Sequence, residues 1–180
     1  YESWSTQLIL GNRSLLFETL QNGGVRIPAT YTVMAEDQLH ALVNSRCLRL
    51  PIIVKPLEAQ GTEASHCMQI ITCDDDLSTV HYPGIAQEFI NHSNLILKMY
   101  CIGAYMYVEA RSSVPDINME SANKGVINFD NHNLQNFHPS ELSSTLNTLE
   151  VKRVNHFGAC VYGDPVQLRL ITREELKHIS

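Results

Sequence analysis

A chain of 180 residues, 44% hydrophobic and 18% charged, is long enough to bury a core and too apolar for a disordered or fibrous class. Its formal charge of −6 at pH 7 and pI near 5.7 argue against a general nucleic-acid binder, because phosphate backbones are gripped by clustered lysine and arginine. No apolar run reaches the roughly eighteen residues that cross a bilayer, and Tyr1 to Thr6 lack the regions of a secretory signal, so the expectation is a soluble cytoplasmic protein without membrane contact.

Between Leu8 and Asn22 the residues Leu15, Leu16, Phe17 and Leu20 fall at helical spacing, and Gly23-Gly24 provides a stop. Tyr31-Thr32-Val33 favours a strand, and a second helix is expected from Glu36 through Leu39, Leu42 and Val43. Pro51-Ile52-Ile53-Val54-Lys55 reads as a strand ending in a lysine, followed by a loop containing Gly61 and a β-rich run from His66 to Thr72. Asp74-Asp75-Asp76 reads as a solvated turn, since no EF-hand pattern surrounds it.

Strands are further expected over Ile85–Ile90 and Leu95–Ile102, the latter turning at Gly103-Ala104 into Tyr105–Arg111. Residues 115–140 are polar and poorly periodic, which predicts a long loop. Ser140 can cap a short helix carrying Leu142, Leu146 and Leu149. Phe157–Tyr162 and Gln167–Thr172 read as strands joined at Gly163-Asp164-Pro165, and Arg173–Ser180 as a helical turn or two. Cys47, Cys67, Cys73, Cys101 and Cys160 are odd in number and form no CxxC pair, so buried free thiols are expected rather than a disulfide framework or a zinc site.

Three cations share a pattern: Lys55 ends one strand, Lys98 lies in another and Arg111 closes a third. Strand ends can aim such groups at a shared phosphate, although each also suits a solvated sheet edge. The loop Gln60-Gly61-Thr62-Glu63-Ala64-Ser65-His66 is not a Walker motif, because the lysine precedes the glycine and no GK[ST] follows. Its Gly61 backbone and Thr62 hydroxyl are candidate phosphate donors, and His66 is either an anion contact or a neutral structural histidine.

Two ordered blocks carry a family resemblance. The first is Ile53-Val54-Lys55-Pro56 with Ala59-Gln60-Gly61-Thr62, Ser65-His66 and Met68; the second is Gln87-Glu88-Phe89-Ile90-Asn91-His92 with Leu97-Lys98-Met99-Tyr100, Ile102-Gly103 and Arg111-Ser112-Ser113. Continued weakly by Asn128-Phe129-Asp130-Asn131-His132, the chain resembles the inositol-tetrakisphosphate 1-kinases, also called inositol trisphosphate 5/6-kinases. The resemblance implies an α+β ATP-grasp fold, with two lobes of antiparallel sheet flanked by helices, approximately residues 10–90 and 91–180. It leaves no counterpart of the family's N-terminal domain before Tyr1.

Carried over residue by residue, the resemblance implies that Arg26 and Lys55 contact ATP phosphates, that backbone groups of Gln87, Glu88, Phe89 and Ile90 hold the adenine, and that Ser113 reaches the nucleotide. Gly61, Thr62, His66 and Lys98 would face an inositol polyphosphate, and Arg111, with Lys98, would stabilise charge at the transferred phosphoryl group. The implied cofactor is ATP. Magnesium lacks support: the family's FG-x-D motif is Phe157-Gly158-Ala159-Cys160 here, and its D-x-N motif has become Thr172-Arg173-Glu174. Magnesium selects hard oxygen ligands, which a thiol cannot supply, and Asp164, Glu174 and Glu175 fall off the expected register. Asn131 also replaces a nucleotide-contacting serine of the family. The expected function is therefore an inositol polyphosphate kinase homologue with impaired transfer, or else a pseudokinase kept as a scaffold for a protein partner.

Overall fold

The structure, a computed structural model, describes residues 3–102, 105–119, 125–131 and 134, with 157–159 and 166–170, and gives the backbone alone at 102, 109–110, 157–159 and 166–170. The chain divides into two compact units, Tyr1–Asn91 with Asp116–Asn136, and His92–Pro115 with Phe137–Ser180.

The first unit opens on two helices where the apolar pattern predicts one, α1 (Trp4–Gly11) and α2 (Arg13–Asn22). Asn12 makes the break. Its backbone is extended, and its Oδ1 accepts from the N–H groups of Ser14 and Leu15 at 2.9 and 3.2 Å, the capping chemistry that starts a new helix. A third helix, α3 (Glu36–Asn44), carries Glu36 and Asp37 in its first turn, where the helix dipole favours negative charge, and buries Leu39 completely.

These helices accompany a five-stranded sheet of β1 (Thr30–Val33), β2 (Ile52–Pro56), β3 (Cys67–Ile71), β4 (Gly84–Glu88) and β7 (Val126–Asp130), ordered β1-β4-β2-β3-β7 and antiparallel throughout. Strand alternation sends Ile52, Val54, Ile71 and Ala86 into one core with Val33, Leu39, Leu48, Leu77 and Val80. Strand β7 corrects the expectation of a continuous loop over residues 115–140. Its five residues pair with β3 from Val126↔Ile71 to Asp130↔Cys67, and Thr72 fixes its start by donating to the Gly125 carbonyl at 2.9 Å.

Other expectations shift at their edges. His66 closes a short 3₁₀ helix, Glu63–His66, and the strand begins only at Cys67. The aspartate triplet is the first turn of a second 3₁₀ helix, Asp74–Thr79, anchored by fully buried Leu77. Strand β4 stops at Glu88, leaving Phe89 and Ile90 beyond its end.

In the second unit β5 (Leu95–Ile102) and β6 (Tyr105–Ser112) form an antiparallel hairpin from Leu95↔Ser112 to Ile102↔Tyr105. The sheet continues to β9 (Val166–Leu170) and β8 (Phe157–Ala159) in the order β5-β6-β9-β8. One pairing departs from an all-antiparallel sheet: β9 runs parallel to β6 through Tyr105↔Arg169 and Met106↔Leu170. A parallel pair needs a long crossover, which the segment between these strands is long enough to supply. The expected helices after Ser140 and Arg173 lie outside the described residues.

Candidate functional site

The sheet register decides which side chains of the first unit meet. Gln87 pairs with both Thr30 and Ile53, and Lys55 stands two residues beyond Ile53, so Thr30, Gln87 and Lys55 share a face. Val54, Gln69, Ala86 and Asn128 occupy the opposite face, together with the core.

Lys55 has a half-buried side chain whose Nζ donates to Gln87 Oε1 at 2.6 Å and lies 5.6 Å from the centre of the Phe17 ring. Burial, and then the positive charge of Arg13, push the amine from 10.5 down to about 8. The partner of Lys55 is a neutral amide.

Arg13 was not singled out by sequence reasoning, yet it is buried and organises the glycine loop. Its guanidinium donates to the carbonyls of Pro56 at 2.7 Å, of Glu58 and of Ser65 at 2.9 Å, while its own N–H donates to Leu57 O at 2.8 Å. The start of α2 is thereby tied to the loop that carries Gly61 and Thr62. Gly61 has φ +93°, a left-handed conformation that favours glycine. The Thr62 hydroxyl serves its own loop, donating to Glu58 Oε2 and accepting from Ser65 N, both at 3.2 Å. His66 Nδ1 lies 3.1 Å from Asn131 Oδ1, and Asn131 N donates to His66 O at 3.1 Å. Asn131 thus contacts the histidine through both side chain and backbone.

Arg26 is exposed on the connection between α2 and β1. At the end of β4 the N–H groups of Glu88 and Phe89 already donate to Ala29 O and Pro51 O, each at 2.9 Å, so any adenine contact there falls to other backbone groups. A cavity of about 440 Å³ is lined by Val54, Lys55, Met68, Gln69, Asn128 and Phe129, among other residues. Lys55 thus lines this cavity, with Met68 and Phe129 from its own face of the sheet and Val54, Gln69 and Asn128 from the other.

In the second unit Lys98 and Arg111 both contact Tyr100, one at its ring and the other at its hydroxyl. Lys98 Nζ lies 5.1 Å from the Tyr100 ring centre, and Arg111 Nη2 donates to the Tyr100 hydroxyl at 3.1 Å. Tyr100 stacks on Tyr107 at 5.9 Å between centroids, which steadies this arrangement. Ser113 is buried, its Oγ 2.7 Å from His92 Nε2 and its N–H donating to Asn94 O at 2.9 Å. No transmembrane-length apolar helix occurs among the described residues. The described cysteines are free, and they correct the expectation of buried thiols: Cys47, Cys67 and Cys101 are exposed, standing in a turn, at the first position of β3 and near the end of edge strand β5.

The metal question falls elsewhere. Cys160, Asp164, Thr172, Glu174 and Glu175 lie outside the described residues, and among those described no cluster of three His, Cys, Asp or Glu is placed to hold a metal ion.

Two sheets, one with a glycine loop beside a strand-terminal lysine, are the parts of an ATP-grasp domain, and residues 19–156 match the family model described as the inositol 1,3,4-trisphosphate 5/6-kinase ATP-grasp domain. The chain belongs to that family and shares the ancestry of its ATP-dependent inositol phosphate kinases. It is 32% identical over 111 residues to inositol-tetrakisphosphate 1-kinase 3 of Arabidopsis thaliana, covering 60% of this chain and 31% of that protein. Similarity to inositol-tetrakisphosphate 1-kinase 5 of Oryza sativa subsp. japonica is 40% over 73 residues, covering 41% of this chain and 21% of the relative. With inositol-tetrakisphosphate 1-kinase 1 of Arabidopsis thaliana it is 37% over 84 residues, covering 46% and 26%. The chain therefore spans about a fifth to a third of the curated relatives it matches.

Proposed function

We propose that this chain binds ATP and an inositol polyphosphate as a homologue of the inositol phosphate kinases, in a cytoplasmic protein. The observation that carries this reading is Lys55, a cation withdrawn from water and held by a neutral amide. Removing a charge from water without an opposite charge is costly, and an incoming phosphate supplies the missing charge. Lys55 takes a nucleotide phosphate in this reading, and Arg26 meets a second one from its exposed loop. The Gln87–Ile90 segment receives the adenine, and Ser113 reaches the nucleotide.

Gly61, Thr62 and His66 in the first unit, and Lys98 in the second, are each assigned to the inositol polyphosphate. The paired cations Lys98 and Arg111 neutralise charge on the transferred phosphoryl group, the principal task in such a transfer. No step is assigned to magnesium: a thiol at Cys160 and a hydroxyl at Thr172 are poor substitutes for carboxylates, and transfer is slow for that reason. This departure also supports a second reading, a pseudokinase that retains ligand binding and serves a protein partner.

Two measurements test the proposal. Millimolar ATP raises the melting temperature of the purified protein, and an unchanged melting temperature rejects nucleotide binding. Turnover with magnesium ATP and an inositol polyphosphate stays well under about 1 per second, whereas turnover at that rate or above overturns the impairment.

A further inference from the structure

Gln87 is buried and holds the Lys55 amine through one end of its carboxamide, which raises the question of what fixes the other end. The Thr30 hydroxyl lies 2.7 Å from the carbonyl of Pro28, and since a carbonyl only accepts, the hydroxyl proton is committed to it. Thr30 Oγ1 is then left as an acceptor, and Gln87 Nε2 donates to it at 2.7 Å. With its amino end so engaged, the carboxamide presents Oε1 to Lys55 at 2.6 Å. A flipped amide would set N–H donors against an ammonium group and an oxygen against a hydroxyl with no proton to offer. Both ends would be unsatisfied, which is costly for a buried polar group.

We propose that Thr30 is a positioning residue for Lys55, acting through Gln87: the line Pro28–Thr30–Gln87–Lys55 points the amine and leaves its remaining protons for a phosphate. Thr30 belongs to neither block of the family resemblance and carries no charge, so only the approach of β1 to β4 reveals it. The inference rests on the reading of Lys55 as a phosphate ligand, and its test separates the two.

The experiment uses wild type, Thr30→Val, Thr30→Ser and Gln87→Met, each with Lys55 intact and with Lys55→Met. ATP affinity is measured by calorimetry, and the Lys55 amine is titrated by NMR through its Cε resonance. Arg13 is the charged group beside Lys55 and is unchanged in every variant. Thr30→Val and Gln87→Met weaken ATP about fivefold, the effect of losing one ordinary hydrogen bond, while Thr30→Ser stays within about twofold of wild type. Without a fixed acceptor the charged amine is less favoured, so the Lys55 titration moves to lower pH in Thr30→Val and is restored in Thr30→Ser. In the Lys55→Met background Thr30→Val has no further effect on ATP. An equal loss in that background, or a Lys55 titration unmoved by Thr30→Val, overturns the proposal. Failure of wild type to bind ATP overturns the phosphate reading instead, and the titration still decides the relay.

Discussion

Lys55 combines a location that burial makes unfavourable with a charge that a phosphate ligand requires. The sign of its effect on folding follows from the pKa shift. Its folded value of about 8 lies below the ordinary 10.5, so the unfolded chain holds the proton more tightly. The resulting cost to stability is fully present below pH 8 and fades as the pH rises from about 8 to 10.5. Lys55→Met should therefore stabilise the free protein at pH 7 by on the order of 1 kcal/mol, and the gain should vanish at the alkaline end of that window. Denaturant unfolding of both proteins at several pH values checks this; a less stable Lys55→Met protein at pH 7 contradicts it. If Lys55 holds a nucleotide phosphate as proposed, the protonated amine is the binding form, and wild-type affinity should decline as the pH climbs through about 8.

Among the elements, the loop between β2 and β3 depends most on a remote partner. Replacing Arg13 with Met strips the carbonyls of Pro56, Glu58 and Ser65 of their guanidinium donor. The expected loss is about 3 kcal/mol, with hydrogen exchange accelerated in the glycine loop before the rest of the sheet. A destabilisation under about 1 kcal/mol would show that the latch is dispensable. Strands rich in β-branched and aromatic residues, such as β2, β5 and β6, were legible because their composition and alternation are local properties. Strand β7 was not, since Val126–Asp130 has little apolar alternation and owes its form to pairing with β3. The break at Asn12 was hidden by an apolar pattern that continues across it, although asparagine is a capping residue type. Lys55, Lys98 and Arg111 could be read as strand-borne cations. The contacts of Arg13, Thr30 and Asn131 could not, because each joins segments distant in sequence.

At the scale of the molecule, an acidic chain offers its ligands local positive charge. The formal charge of −6 speaks to solubility, whereas Lys55 and Arg13 in one unit, and Lys98 and Arg111 in the other, are the cations to which the proposed function assigns an anion. Family membership rests on residues 19–156, and Cys160 and Thr172 are the ground on which the proposed function separates binding from transfer. A protein of this kind can retain the first function with little of the second. The most direct test is calorimetric titration of ATP, without magnesium, into wild type and Lys55→Met at pH 7. Saturable binding by wild type that weakens at least about tenfold in Lys55→Met, as loss of a charge-assisted phosphate contact requires, is the predicted result. Equal affinity in the two proteins, or no binding by either, would contradict it.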